Sequence, residues 1–369
     1  MVKRIVLTGG PGTGKTTVLD KIKTVYEPQG YRVIIIDETA TYFILKGIRP
    51  FGDNALDLVD FQELVMRMQL AKEEIFDRAA QMMGEDAKVL IVYDRGAVDN
   101  CAYMSEKQFE EVMARLNHVK SFAELLNQYD AVIDLVGRKD FYTLENNEAR
   151  SEDADYALEL GANTLKSWLG HNKIKIVLPK DTMDEKVNEV LNIINGVLLE
   201  KQVKRQDKYS VDLRSTDLDR VIRESRAVMI EQSYLISEDE TIEKRIRKVS
   251  INNSDSYHLS VYKIMEDGSR VIVSEKSIDK KLYDQLMEFK DSRYETIRKN
   301  RYCFSEAGTY FNLDVFENME DVGILEINVG EHEVVNIPDY VAVMEDVTKN
   351  SNYYNKNIAK KVGRELKKS

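Results

Sequence analysis

Over the first half of the chain, short apolar runs at 4–7, 33–36, 89–92, 131–135 and 175–178 alternate with longer amphipathic stretches. That rhythm predicts parallel strands joined by crossover helices, among them one over 153–168 and one over 184–199. From residue 200 to 226 the chain becomes dense in charge, with Lys204-Arg205-Gln206-Asp207-Lys208 at its centre, which predicts a domain boundary at its start. Beyond it the pattern changes. Runs at 228–235, 242–249, 257–264, 270–274, 310–316 and 323–329 are rich in β-branched and aromatic residues, and turn signals such as Asn252-Asn253-Ser254-Asp255 and Glu266-Asp267-Gly268 join them. They predict an antiparallel sheet or barrel. The expected organisation is an α/β domain over 1–198, with a parallel sheet and helices on both faces. An α+β antiparallel barrel or tunnel domain over 201–361 and a basic tail over 362–369 follow it.

Composition narrows the function classes. A length of 369 residues with 43% hydrophobic residues, 18 Gly and 5 Pro suits two globular units and excludes a fibrous or mainly disordered chain. The net charge of −11 argues against a nucleic-acid partner. Cys101 and Cys303 are too few for a disulfide framework or a zinc cluster, so a reducing, cytoplasmic setting is the expectation. No apolar run reaches the roughly 18 residues of a membrane helix, and the opening apolar run is too short for a secretory signal. Peripheral contact with a membrane stays open.

The strongest local chemistry is Gly9-Gly10-Pro11-Gly12-Thr13-Gly14-Lys15-Thr16-Thr17, placed between a predicted strand and a predicted helix. Glycines there let backbone N–H groups wrap phosphates, Lys15 reaches the β/γ oxygens, and the Thr16 hydroxyl ligates Mg²⁺. The run 89–92 leads to Asp94, an acid placed to hold Mg²⁺ or its water. Arg95 beside it either contacts a phosphate or pairs with a surface carboxylate. Glu38, after the second strand, either acts as a base or positions a second substrate, or is an exposed loop acid. Arg138, Lys139 and Arg150 flank a polar stretch that is either a basic lid over phosphates or a solvated loop.

These segments resemble the P-loop domains of nicotinamide-riboside-kinase-like AAA ATPases. The resemblance is carried by the Gly-rich loop, by Glu38-Thr39-Ala40, by Asp94-Arg95-Gly96 with Asp99 and Tyr103, and by Asn147-Glu148-Ala149-Arg150-Ser151-Glu152. It implies Mg²⁺ with ATP or GTP, and catalytic roles for Asp94, Arg95, Glu38 and Arg150. No guanine-reading motif follows a strand, so the base stays open.

In the second half, Arg245 and Arg247 alternate on one strand, Lys299 and Arg301 on another, and Lys263 sits on a third. Residues two apart share a face. The cations therefore either line a basic channel or mark a solvated face. Seven segments in order, from Lys208-Tyr209-Ser210-Val211 through Ile324-Leu325-Glu326-Ile327 to Tyr353-Tyr354-Asn355-Lys356-Asn357-Ile358-Ala359, resemble the CYTH family of triphosphate tunnel metalloenzymes. That family opens with E-x-E-x-K, where this chain has Lys204-Arg205-Gln206-Asp207-Lys208. Asn312 and Asn328 likewise stand where acids are usual beside Asp314 and Glu326. Metal-assisted cleavage needs hard oxygen donors that are missing here. The expectation is a tunnel that binds a polyphosphate or a phosphoinositide headgroup through Lys208, Arg245, Arg247, Lys263, Lys299 and Arg301 without hydrolysing it. Both halves together resemble a fused family related to a photoreceptor protein named for defective TRPL-channel translocation. Three functions follow in order of preference. The first is a regulatory nucleotide-binding protein with slow NTPase activity. A small-molecule, nucleoside-like kinase and an active triphosphatase come after it.

Overall fold

The computed structural model describes residues 1–117, 120–138, 154–199, 205–266, 270–329 and 335–360. The polar stretch with Lys139 and Arg150, the residue Lys204, residues 267–269 of the expected turn and the expected tail beyond 360 lie outside them. The chain forms two compact units, one of residues 1–121 with 125–203 and one of 122–124 with 204–369.

In the first unit the strands are β1 (Val2–Thr8), β2 (Arg32–Ile36), β3 (Val89–Asp94), β4 (Ala131–Leu135) and β5 (Ile174–Val177). All pair in parallel, in the order β2-β3-β1-β4-β5. Their apolar runs are what a sheet covered on both faces requires. Helices α1 (Lys15–Tyr26), α2 (Thr39–Leu45), α3 (Leu58–Met82), α4 (Glu106–Arg115), α5 (Phe122–Asn127), α6 (Ala154–Trp168) and α7 (Met183–Leu198) join the strands. On one face, Ile5, Leu7, Leu90, Val92 and Ile133 form a core with Val18 and Ile22 of α1 and Val190 and Ile194 of α7. Tyr93 points the other way and meets the ring of Tyr129 at 5.2 Å, which in turn meets Trp168 of α6 at 5.4 Å. Local capping sets the helix starts. Asp57 accepts from the Val59 amide at 2.8 Å before α3, and Ser105 with Gln108 and Thr182 with Glu185 form reciprocal caps before α4 and α7.

The second unit holds a nine-stranded antiparallel sheet built from β6 (Arg205–Asp212), β7 (Arg226–Leu235), β8 (Ile242–Ile251), β9 (Ser254–Ile264), β10 (Arg270–Ile278), β11 (Ile297–Glu306), β12 (Thr309–Phe316), β13 (Val322–Val329) and β14 (Val343–Asp346). The order is β10-β9-β8-β7-β11-β12-β13-β6-β14. Helices α8 (Leu218–Glu224), α9 (Lys280–Met287) and α10 (Asn355–Ile358) accompany it. One face packs Phe304, Phe311, Leu313, Leu325 and Val211 against Val221 of α8. The other face carries the charged residues, yet Lys299, Asp314 and Glu326 there are buried. Among the described residues the ladder runs from β10 at one end to β14 at the other, with no pairing between those two strands. No helix of the described residues is long and apolar enough to cross a membrane.

Candidate functional site

The loop between β1 and α1 lies where β1 is flanked by β3 and β4, at the carboxyl edge of the parallel sheet, the usual ligand position in such sheets. Glycine is required at two of its positions. Gly9 has φ +125°, and a Cβ there would stand 2.3 Å from the Leu135 carbonyl oxygen. Gly14 caps α1 at φ +89°. Lys15 folds back over the loop, donating to the carbonyls of Gly9 at 3.1 Å and Gly10 at 3.0 Å. Burial, followed by the charge of Arg95, lowers its ammonium to about 8. Thr13 donates to the Gly10 carbonyl at 3.1 Å, while Thr16 and Thr17 stand exposed on the first turn of α1.

The ends of β2 and β3 bring acids and a cation to this loop. Asp94 ends β3, and one of its carboxylate oxygens is buried with no hydrogen-bond partner. Burial pushes its carboxyl up to about 6, although Lys15 pulls the other way. Arg95 follows in the left-handed region at φ +67°, and its Nε donates to Glu38 Oε1 at 2.6 Å. Burial would raise Glu38, but Arg95 and Lys15 outweigh it and leave the carboxyl below its ordinary value. Asp99 accepts from the Thr8 hydroxyl and from the Gly96 amide at 2.6 Å, and lies 3.9 Å from Arg95. The structure thus unites Lys15, Asp94, Arg95 and Glu38 from the predicted set. Arg150 falls outside the described residues.

Sequence reasoning missed two residues of this site. Asp134 on β4 is 2% exposed with one oxygen unpartnered, and burial raises it to about 7. Its only signal is a lone acid inside the apolar run 131–135. Lys186 on α7 donates to the Thr13 carbonyl at 3.0 Å and the Val136 carbonyl at 2.8 Å, and burial lowers it to about 8. A cavity of about 180 Å³ borders Gly10, Gly12, Asp134 and Gly161.

The donor set fits Mg²⁺ with a nucleotide. No described group of three or more His, Cys, Asp or Glu is placed to hold a metal. A cation here would use Asp94 and Thr16 and take its remaining oxygens from phosphates and water, the usual habit of Mg²⁺. The unpartnered Asp94 oxygen is free for that role.

In the second unit, Lys208 donates to Glu326 at 2.7 Å. Arg301 bridges Asp314 at 2.7 and 2.8 Å and Glu326 at 2.6 Å, and Lys299 also donates to Asp314. Burial would raise Glu326, but Arg301 and Lys208 hold it well below the usual carboxylate range. Cross-strand register puts Arg245 and Arg247 on this same face, opposite Tyr234 and Gln232. Arg245 lies over the Tyr262 ring at 4.2 Å and donates to its hydroxyl, and Arg247 donates to Glu275 at 2.6 Å. The Nε of each is buried without a partner. Lys263 does not join them. It pairs with Ile242, three residues along from the Ser260 that faces Arg245, so it stands exposed on the opposite face.

Residues 4–186 match the family model of an AAA domain. No curated protein matches the chain. Among solved structures, an inorganic triphosphatase is 22% identical over 42% of this chain and 94% of that one, with a TM-score of 0.32. A thymidylate kinase from Ehrlichia chaffeensis is 15% identical over 52% of this chain and 98% of that one, with a TM-score of 0.36. A protein from Pyrococcus horikoshii is 20% identical over 34% and 80%, with a TM-score of 0.27.

Proposed function

We propose that the first unit binds ATP or GTP with Mg²⁺ and slowly hydrolyses it, while the second unit holds a phosphorylated ligand without cleaving it, the pair acting as a regulatory switch. The observation that carries the first part is the convergence of Lys15 and the unpartnered Asp94 oxygen on one Gly-rich loop. Lys15 would exchange its two carbonyl acceptors for β/γ-phosphate oxygens, and the loop amides would hold the same phosphates. Bound Mg²⁺ would neutralise charge on the transferred group. The ionised Glu38 orients Arg95, whose Nη1 is buried, makes no hydrogen bond and lies 3.9 Å from Asp99, within reach of an anionic oxygen placed closer.

That Glu38–Arg95 pair favours a second reading, in which Glu38 accepts the hydroxyl proton of a small acceptor and the protein is a kinase. Added acceptors decide between the two, since a kinase transfers the phosphoryl group to them far faster than to water. In the second unit the proposed phosphate contacts are Arg245 and Arg247 on β8, with Lys208, Lys299 and Arg301 beside them. Tripolyphosphate and a phosphoinositide headgroup are the candidate ligands. Asp314 and Glu326 are engaged by cations, which supports binding without metal-assisted cleavage.

Asp94→Asn keeps the size of the side chain and removes its charge. It should lower Mg²⁺-dependent turnover at least about tenfold, since a metal ion contributes several kcal/mol to such reactions. Calorimetry without metal should show nucleotide affinity changed far less. Unchanged turnover would remove Asp94 from the site.

A further inference from the structure

We infer that Glu73, on α3, is the positioning residue that sets the two loops carrying Glu38 and Arg95 against each other, acting through Gln69 and Tyr129. Residues 69 and 73 share one face of α3 by helical spacing, and both are buried, at 4% and 3% exposure. Burial pushes the Glu73 carboxyl up from its ordinary value, and against this its two oxygens accept three hydrogen bonds. Its Oε1 accepts from Gln69 Nε2 at 2.8 Å and from the Tyr129 hydroxyl at 2.7 Å, and its Oε2 accepts from Gln128 Nε2 at 2.7 Å.

Those three bonds fix the direction of every bond beyond them. With its amide nitrogen turned to Glu73, Gln69 presents its oxygen to the Thr39 hydroxyl, which donates at 2.6 Å. Thr39 directly follows Glu38. The same Gln69 nitrogen reaches the Arg95 carbonyl at 3.4 Å. Tyr129, having given its proton to Glu73, accepts from the Ala97 amide at 2.9 Å. Lys72, on the same helix, adds bonds to the Asp37 carbonyl at 3.3 Å and to Thr39 Oγ1 at 3.2 Å. One carboxylate therefore holds the ends of β2 and β3 at once, and neither end can shift without breaking a buried bond.

Arg95 explains why such a clamp is needed. Its backbone sits at φ +67°, a strained conformation for a residue with a side chain, which persists only where the surroundings enforce it. Among the described residues no cation is bonded to Glu73, so its charge is held by neutral donors alone. A neutral acceptor could have filled a purely structural place at less cost, whereas a carboxylate gives all three donors one orientation.

The test uses the full chain. In Glu73→Leu both acceptor oxygens are lost, so Gln69 and Tyr129 lose the partner that turns them toward the two loops. Hydrogen exchange in the segments 37–45 and 95–103 should rise at least about tenfold, with the β1 and α1 amides unchanged. Where nucleotide is turned over, kcat should fall at least about tenfold while nucleotide Kd stays the same. Tyr129→Phe removes the acceptor for Ala97 together with the bond to Glu73 and leaves the Gln69 bonds to Thr39 and Glu73 in place, so it should loosen 95–103 and leave 37–45 protected; it decides the matter if Glu73→Leu does not fold. Unchanged exchange in both segments, or an equal rise throughout the unit, would overturn the inference. The kinetic arm rests on the phosphoryl-transfer reading. A wild-type chain that turns over no nucleotide would refute that reading while the exchange arm still decides on Glu73.

Discussion

Lys15→Ala should weaken ATP or GTP binding by about tenfold or more. The ammonium is enclosed by the loop that it serves, and a charge-assisted bond in such a place contributes roughly 1.5–3 kcal/mol, at about 1.4 kcal/mol per decade of affinity. The ligand-free protein should not suffer. Burial has lowered Lys15 from 10.5 to about 8, so the unfolded chain binds more protons between those values and stability gains as pH rises through that window. Below about 8 the buried charge is a cost, and alanine removes it. Calorimetry with each nucleotide, beside a thermal melt, separates the two effects, and equal affinity in wild type and variant would refute the phosphate site.

The same two groups give the pH profile a shape. Lys15 must be protonated to hold phosphate, so affinity should fall as pH rises through about 8. Asp94 must be ionised to hold the metal, so the Mg²⁺-dependent part of binding should fade as pH drops through about 6. Asp94→Asn should lose that acid limb and keep the alkaline one.

How much of this was legible depends on whether a feature is local. The strands at 89–92 and 131–135 are apolar runs buried on both faces, interrupted only by Asp134, and the half-buried edge strand at 33–36 is as apolar, so all three stand out. The Gly-rich loop is legible because all its parts are contiguous. Strand β6 was hidden inside a charge-dense stretch, since Gln206 and Lys208 face one side and Asp207 the other, which leaves no apolar alternation to see. Asp134, Lys186, Gln69 and Glu73 carry no local signature. Each is an ordinary polar residue until the sheet order brings its strand or helix to the loop. For the basic residues of the second unit, spacing fixed which neighbours on one strand share a face. It could not tell whether two strands agree, and so Lys263 was grouped with cations that it does not face.

Arg301→Glu should destabilise the second unit by about 3–5 kcal/mol, the usual consequence of leaving buried charges without their partner. Cations sharing one face repel one another and by themselves contribute little to a fold. Arg301 is held differently. Its guanidinium joins Asp314 on β12 to Glu326 on β13, and a carboxylate in its place would set three acids against Lys208 and Lys299. Arg245 differs, because its partners are the ring and hydroxyl of Tyr262 and its Nε has none. Arg245→Glu should therefore leave the calorimetric unfolding of the chain nearly as in wild type. It should still lower tripolyphosphate affinity at least about tenfold, measured in a Lys15→Ala background to silence the first site. Added salt should weaken the wild-type interaction to the extent that the charges are reached by solvent. If both reversals leave the melt unchanged, the ion-pair network does not hold the sheet. If Arg245→Glu binds tripolyphosphate as wild type does, the charged face is not a phosphate site, and Arg245 serves only to stack on Tyr262.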